Sequence, residues 1–130
     1  MIERQAVAER TALEIGTEFA RAYANGDYER VCELVASDVI EREINPRGYI
    51  ELRGPDELIA EAREFTGRYG DPEVLELTTE MAGPLLRVIN RWRLRREGVP
   101  VLCDFYELLR IEDGRIGQID LVCSGVVPER

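Results

Sequence analysis

The sequence predicts an α+β fold in which a cone-shaped, curved, mixed but mostly antiparallel sheet wraps over a long N-terminal helix and two further helices. Up to residue 70, apolar residues recur with helical spacing, interrupted by one short hairpin. From residue 73 the period changes to two, in four successive runs separated by turns that contain glycine. Helices on one face of such a sheet enclose a cone, and its open end is a natural pocket.

Three helices are predicted. Residues 3–25 carry an apolar stripe and end at Asn25-Gly26. Asp27 is placed to cap a second helix over about 28–36. Gly54-Pro55-Asp56 opens the third, with proline in its first turn. The stripe of the first helix is Ala8, Ala12, Ile15, Phe19, Ala22 and Tyr23, and that of the third is Leu58, Ala62, Phe65 and Tyr69.

The remaining segments are predicted as strands. A short hairpin over 38–52 turns at Asn45-Pro46-Arg47-Gly48. The antiparallel meander that follows consists of strands over 73–81, 85–96, 99–111 and 116–126. No repeat or linker interrupts the 130 residues, which is the size of one domain.

The composition excludes several kinds of chemistry. There is no histidine, and all 17 basic residues are arginine, so imidazole-based triads, imidazole zinc sites, Schiff bases and phosphate loops with lysine are excluded. A general acid or base must therefore be Asp, Glu, Tyr or Cys. Cys32, Cys103 and Cys123 form no CxxC motif and are predicted to be reduced, buried, small hydrophobic residues. We expect neither a metal nor a cofactor.

The net charge of −9 makes nucleic acid and anionic membranes unsuitable partners. No apolar run approaches the roughly 20 residues of a membrane helix. The first residues, MIERQAVAERTALE, are charged and helical in pattern, unlike a signal peptide, so we expect a cytoplasmic protein.

The run 99–111 carries one carboxylate on an otherwise apolar face. Its odd positions, Phe105 among them, are apolar except for Glu107, so period two turns Glu107 towards the core. Burial raises the pKa of an unpaired carboxyl, and a raised pKa suits an acid catalyst. The alternatives are a buried pair with an arginine or tyrosine, and a bulge that turns Glu107 outwards.

The run 85–96 has an apolar face and an arginine face. Even positions place Asn90 and Trp92 inside, next to the strand of Glu107. An inward asparagine needs a partner, which a pocket ligand would supply, whereas Trp92 is expected to fill the cone. The odd positions Arg87, Arg91, Arg93 and Arg95 are predicted to pair across strands with Glu76 and Glu80 of the preceding run.

Three segments, in this order, carry a resemblance to a known family. They are FARAYANGDYERVCELVASDVIE, RGPDELIAEAREF and YELLRIEDGRIGQIDL. The chain resembles the nuclear transport factor 2-like superfamily, in its SnoaL-like or ketosteroid isomerase-like branch. The resemblance implies a cystatin-like α+β barrel, a single SnoaL-like domain over 1–130 of the small stand-alone bacterial type, and a homodimer formed through the outer sheet face.

The resemblance also implies site residues. The isomerase base would fall on Glu43, with Glu41 two residues before it, and the protonated acid that donates to the oxyanion would fall on Glu107. The isomerase's oxyanion tyrosine would fall on Phe19, a departure that argues against ketosteroid isomerization itself. Limonene epoxide hydrolases share the fold, but arginine in Asn90-Arg91-Trp92-Arg93 and Leu121 stand where their aspartates belong, so that activity is rejected.

The orientation of Glu43 stays open between two predictions. Alternation over 39–44 puts Val39, Glu41 and Glu43 on one side, and Ile40 and Ile44 on the other. Periodicity alone turns the isoleucines to the core and both glutamates to water, whereas the resemblance turns Glu43 to the pocket. A bulge would reverse the register.

Two functional hypotheses follow. The first is a cofactor-free isomerase, cyclase or dehydratase of a small apolar carbonyl compound, with Glu43 (or Glu41) as base, Glu107 as donor, and Asn90 and Tyr49 orienting the ligand. The second is a non-catalytic homodimeric module that binds a ligand or a protein. In both, a small hydrophobic molecule is the expected partner. Its predicted contacts are Phe19, Tyr23, Tyr49, Asn90, Trp92, Phe105, Ile119, Leu121 and Cys123.

Overall fold

The computed structural model describes the backbone of residues 2–129 and the side chains of residues 12–129. The helices are α1 (Ile2–Ala24), α2 (Tyr28–Leu34) and α3 (Gly54–Tyr69). The strands are β1 (Val35–Asn45), β2 (Gly48–Arg53), β3 (Glu73–Ala82), β4 (Leu85–Arg96), β5 (Val99–Glu112) and β6 (Arg115–Pro128). The predicted place of Ala8 on the α1 stripe lies outside the described side chains.

The strands form one mixed sheet in the order β2-β1-β6-β5-β4-β3. Neighbours are antiparallel except β1 and β6, which run parallel and join the hairpin to the meander. The predicted curved sheet over three helices is confirmed, and it stays open between its edge strands β2 and β3 instead of closing into a barrel. The sheet therefore has a concave inner face and an outer face.

Helix α1 packs on the inner face against β3, β4, β5 and β6, and α3 covers β1, β2 and β4. The close approach of α1 depends on Gly16. A Cβ atom added there would lie 1.7 Å from Cδ2 of Leu86, a buried β4 side chain. Phe19, one turn on, is buried in the same core. A glycine inside a helix normally weakens it, so close packing explains its presence.

The predicted boundaries of α2 and β1 are corrected. The helix ends at Leu34 instead of about residue 36, because Val35 already has extended dihedrals (φ −101°, ψ 152°). Strand β1 therefore starts at Val35, three residues before the predicted hairpin. A β-branched valine favours extended structure, and Val35 is buried at the start of the strand.

The orientation of β1 follows the resemblance and not the periodicity. Val39 is fully buried and Glu41 is only 3% exposed, while Ile44 is 56% exposed on the outer face. The register of β1 against β6 shifts between Val35 and Ile40, and such a shift is the sign of a β-bulge or a similar irregularity in the strand. The prediction that the isoleucines face the core is wrong for Ile44.

The arginine face of β4 makes cross-strand ion pairs, as predicted, but with partly different partners. Arg87 pairs with Glu80. Arg91 lies opposite Glu76 in the register, yet its guanidinium donates to Asp104 on β5 (Nε to Oδ1, 2.8 Å). The arginines of β4 therefore form ion pairs with acidic residues of both neighbouring strands, β3 and β5.

Candidate functional site

A small enclosed cavity lies between the three helices and the inner face of the sheet. Its volume is about 50 Å³, about a third of an engineered cavity that binds benzene. A chemical group of a few heavy atoms would fit in this volume. The lining residues are Tyr23, Tyr28, Glu43, Glu61, Ala62, Phe65, Thr66, Trp92, Phe105, Glu107, Leu121 and Cys123.

Two carboxylates stand in one row across the sheet. Leu121 of β6 is the register partner of Glu43 on β1 and of Glu107 on β5. All three line the cavity. Because neighbouring strands are about 4.8 Å apart, the backbones of the two glutamates are about 10 Å apart. That leaves room for a small molecule between the carboxyl groups.

Glu107 is a desolvated carboxyl that forms no ion pair with any side chain of residues 12–129. It is 7% exposed, and its Oε2 atom has no hydrogen-bond partner among the described residues. Burial, followed by the negative charge of Glu43, raises the pKa of Glu107 to about 7. The predicted inward orientation of Glu107 is therefore observed, without the arginine or tyrosine partner of the alternative. At neutral pH a large share of Glu107 is protonated and can donate a hydrogen bond.

Glu41 and Glu43 share the inner face of β1 but differ in environment. Glu41 is deeper, and burial and the charges of Glu107 and Glu43 raise its pKa well above the ordinary value. Glu43 is half-buried and accepts a hydrogen bond from Nδ2 of Asn45 (2.6 Å). Glu43 is thus the more accessible of the two, and it lines the cavity.

Tyr23 and Glu61, which also line the cavity, have raised pKa values. Tyr23 lies one turn after Phe19 on α1, and burial and the charges of Glu41 and Glu107 raise the pKa of its hydroxyl well above the ordinary value. A hydroxyl donor is thus available one turn from the position of the isomerase's tyrosine. Burial raises the pKa of Glu61 on α3, with a smaller contribution from the charge of Glu43.

The apolar wall is aromatic. Trp92 stands at its centre, 3% exposed, with its ring centroid 4.7 Å from Phe105 and 6.3 Å from Phe65. The ring of Tyr23 also stacks on Trp92, with a centroid distance of 6.3 Å. The Nε1 atom of Trp92 is buried without a hydrogen-bond partner among the described residues. The wall therefore also presents a polar N–H group without a partner.

A wider vestibule of about 450 Å³ adjoins the cavity. The two share Glu43, Glu61, Phe65 and Cys123, which we call the junction. The rest of the vestibule is lined by Asn45, Pro46, Arg47, Arg68, Tyr69, Arg96, Ser124, Gly125, Val126 and Val127. A ligand can thus place a small reacting group in the cavity and its larger part in the vestibule.

The structure divides the predicted site residues into three groups. Tyr23, Glu43, Trp92, Phe105, Glu107, Leu121 and Cys123 line the cavity. Phe19, Asn90 and Ile119 are buried and do not line it. Tyr49 is a correction: it is 56% exposed on the outer face, because it pairs with Ile44 and takes the orientation of that residue.

The second and third helices contribute cavity residues that were not predicted from the sequence. Tyr28, Glu61 and Thr66 line the cavity, together with Ala62 and Phe65, which were expected only to pack. A signal was present, because Glu61 and Thr66 flank the apolar stripe to which Ala62 and Phe65 belong. Helical geometry places such flanking residues at the edge of the buried face.

The three cysteines are reduced, as predicted, but only Cys103 is buried, whereas Cys123 is half-buried and Cys32 is exposed on α2. The Sγ atoms of Cys103 and Cys123 are 3.5 Å apart.

Among the side chains of residues 12–129, no group of three Cys, Asp or Glu residues is arranged to hold a metal ion. In the described part of the chain, every helix is too short or too polar to span a membrane.

Comparisons with known proteins identify the family. The sequence model of the SnoaL-like domain matches residues 17–119. The chain belongs to this family. The resemblance inferred from the sequence is therefore confirmed. No curated protein matches the sequence.

Solved structures share the fold of this SnoaL-like domain at low identity. A protein with a ketosteroid isomerase-like fold from Catenulispora acidiphila, in complex with trimethylamine, is 18% identical over 86% of each chain (TM-score 0.72). An NTF2-like protein from Burkholderia xenovorans is 15% identical over 89% of this chain and 91% of its own (TM-score 0.73). An epoxide hydrolase from M. tuberculosis is 18% identical over 90% and 85% (TM-score 0.69).

Proposed function

We propose that this SnoaL-like domain catalyses proton transfer at carbon in a small carbonyl compound without a cofactor. The observation that supports this most is the row Glu43–Leu121–Glu107, which puts an accessible carboxylate and a buried, unpartnered carboxyl on two sides of one cavity. Their environments separate their roles, the arrangement that acid–base catalysis needs. Isomerization, cyclization and dehydration are the reaction classes that fit.

The proposed reaction begins at the carbon next to the carbonyl group. The Glu43 carboxylate takes a proton from the carbon next to the carbonyl, and the electron pair moves to the carbonyl oxygen. The protonated carboxyl of Glu107 and the hydroxyl of Tyr23 donate hydrogen bonds to this oxygen as its charge develops. In a β,γ-unsaturated carbonyl compound, Glu43 then returns the proton to the γ-carbon while the electron pair moves back from the oxygen, so the C=C bond shifts by one position and the isomerization is complete. Tyr23 takes the donor role that the resemblance would have placed at Phe19.

The two volumes constrain the substrate. The cavity of about 50 Å³ accepts the carbonyl group and its neighbours, and a ring system belongs in the vestibule of about 450 Å³. The relative from C. acidiphila holds trimethylamine, which supports a ligand with a small group in the cavity. Asn90 and Tyr49 have no part in this proposal, since neither lines the cavity.

The test is α-proton exchange in D₂O. Acetone and cyclopentanone are incubated with the protein, and loss of their α-proton signals is followed by ¹H NMR. We expect exchange above the buffer rate, lowered about 10²- to 10⁴-fold in Glu43→Gln, since a positioned general base contributes about this factor. Glu107→Gln keeps a hydrogen-bond donor, so we expect its exchange rate to fall less than that of Glu43→Gln.

Glu112→Gln is the matched control, because Glu112 is an exposed carboxylate at the end of the strand that carries Glu107. Exchange at the buffer rate with both ketones, or the same rate in Glu43→Gln and Glu112→Gln, would leave the second candidate, a domain that binds ligands without catalysis.

We further propose that the domain forms a homodimer through the outer sheet face. Ile44, Tyr49, Tyr106 and Val122 are exposed apolar residues there. Arg42 and Asp120 line the same shallow depression. In a two-fold interface the same patch of both copies meets, so Arg42 of one copy can lie opposite Asp120 of the other. A patch that carries both signs can therefore be self-complementary. Aromatic and apolar exposure of this kind is typical of interfaces.

Sedimentation velocity tests the dimer. Val122→Glu is expected to convert it to a monomer, because a carboxylate in the centre of the interface would be buried without a partner. Val99→Glu is the control, since Val99 is equally exposed (56% against 52%) but lies at the far end of β5. A monomeric unaltered protein at about 100 μM would contradict the proposal.

A further inference from the structure

The junction between cavity and vestibule has a negative, aromatic character. Glu43 and Glu61 approach it from β1 and α3, and Phe65 lies one turn after Glu61. No basic residue is among the described residues that line the cavity. The negative charge of Glu43 contributes to the raised pKa of Glu61, so the two carboxylates repel each other. A cation between them would relieve this repulsion.

Two of the three arginines that line the vestibule have side-chain contacts outside the junction. Arg68 pairs with Glu64 (NH2 to Oε1, 2.6 Å), and Arg96 lies over the ring of Tyr69 (5.8 Å). Arg47 lies in the β1–β2 turn, and its backbone N–H donates to Oδ1 of Asn45. None of these arginines lines the enclosed cavity. The charge of Arg68 lowers the pKa of Glu61, but burial and the charges of Glu43 and Glu64 outweigh it, so the positive charge at the rim only partly offsets the repulsion at the junction.

Besides negative charge, a cation site benefits from aromatic ring faces, and the cavity has several. Tyr28 and Phe65 line the cavity from two helices, and Trp92 closes it from the sheet. The guanidinium of Arg63 lies 5.2 Å from the centroid of Tyr28, so one ring of this set already attracts a cation. A cation within about 6 Å of a ring face is stabilised by the ring quadrupole.

An independent observation indicates that the cavity receives a ligand. Glu107 is more than nine-tenths buried, lines the cavity and has an Oε2 atom without a partner among the described residues. Trp92 is more deeply buried, and its Nε1 atom likewise has no hydrogen-bond partner among the described residues. Buried polar atoms are nearly always hydrogen-bonded. A ligand that reaches the cavity can supply these partners.

We propose that the junction binds a small alkylammonium group, with Glu61 and Glu43 as counter-ions and Phe65 as the cation–π face. This deepens the proposed function and rests on it in one respect: the substrate is a carbonyl compound that carries a protonated amine near the reacting carbon. The positive charge would also stabilise the negative charge that develops on the substrate. Glu61 is then a specificity-determining residue and not a base.

Three probes of the same shape and different charge test the site. Choline, 3,3-dimethylbutan-1-ol and 3,3-dimethylbutanoate carry a trimethylammonium group, its neutral analogue and an anionic relative. Binding is followed by the fluorescence of Trp92, the single tryptophan of the chain, which lines the cavity. We expect choline to bind about tenfold more tightly than the alcohol, and the butanoate more weakly than either.

Glu61→Gln is expected to remove most of the preference for choline, and Asp56→Asn to leave it within about twofold. Asp56 has the same charge and lies in the first turn of the same helix, but is exposed. Phe65→Leu provides a second variant that keeps the volume and removes the ring face, and it should weaken choline more than the alcohol. Equal affinities of choline and the alcohol, or tighter binding of the butanoate, would overturn the ammonium site.

This outcome is separable from that of the exchange assay, because none of the three probes contains a ketone. Preference for choline without ketone exchange supports the ammonium site and removes the catalytic proposal. Ketone exchange without preference for choline supports the catalytic proposal and removes the ammonium site.

Discussion

Replacing Glu107 with glutamine is expected to remove a loss of stability that the unaltered protein suffers as the pH rises from about 4 to about 7. The folded protein holds the Glu107 proton with a pKa of about 7, against about 4.3 in the unfolded chain. The folded state therefore binds more protons between these values, and its free energy of unfolding falls as the pH rises. The loss from this group is about 4 kcal/mol.

The measurement is urea unfolding of both proteins from pH 4 to pH 8. The free energy of unfolding of the unaltered protein, minus that of Glu107→Gln, should fall with pH up to about 7 and be constant above it. Glu112→Gln should give a flat difference, within about 0.5 kcal/mol, since this side chain is exposed in the folded protein. A flat difference for Glu107→Gln as well would mean that Glu107 is solvated, and its donor role would fail.

Trp92→Ala is expected to lower the free energy of unfolding by about 3–5 kcal/mol. Trp92 is 3% exposed and packs on Tyr23, Phe65 and Phe105, which come from two helices and the neighbouring strand. Its removal would leave a large cavity that these rings cannot fill, because the backbones of different elements hold them apart.

Thermal or urea unfolding at one pH measures this loss. Trp92→Phe is the matched variant, since it keeps an aromatic ring and removes the Nε1–H group that has no partner among the described residues. It should cost less than half as much as the alanine. A loss below about 1 kcal/mol for Trp92→Ala would show that the aromatic wall is not a packed core.

The sequence alone determined the order and type of the elements and the inner face of the meander. Period two is unambiguous when one face is apolar, and it placed Glu107, Asn90 and Trp92 inside. The absence of histidine and lysine limited acid–base chemistry to the residue types that line the cavity. These properties depend on residue identity and on spacing along one strand.

Tertiary structure decided what depends on neighbours in space. The orientation of β1 follows from its parallel pairing with β6 after a register shift, which local alternation cannot reveal, and this pairing places Glu43 beside Leu121. Glu61 and Tyr28 reach the cavity only because α2 and α3 cover the open side of the sheet. The contact of Arg91 with Asp104 instead of Glu76 likewise reflects a choice between two neighbouring strands. Periodicity determines which face a side chain occupies, whereas the packing of distant segments determines what it faces there.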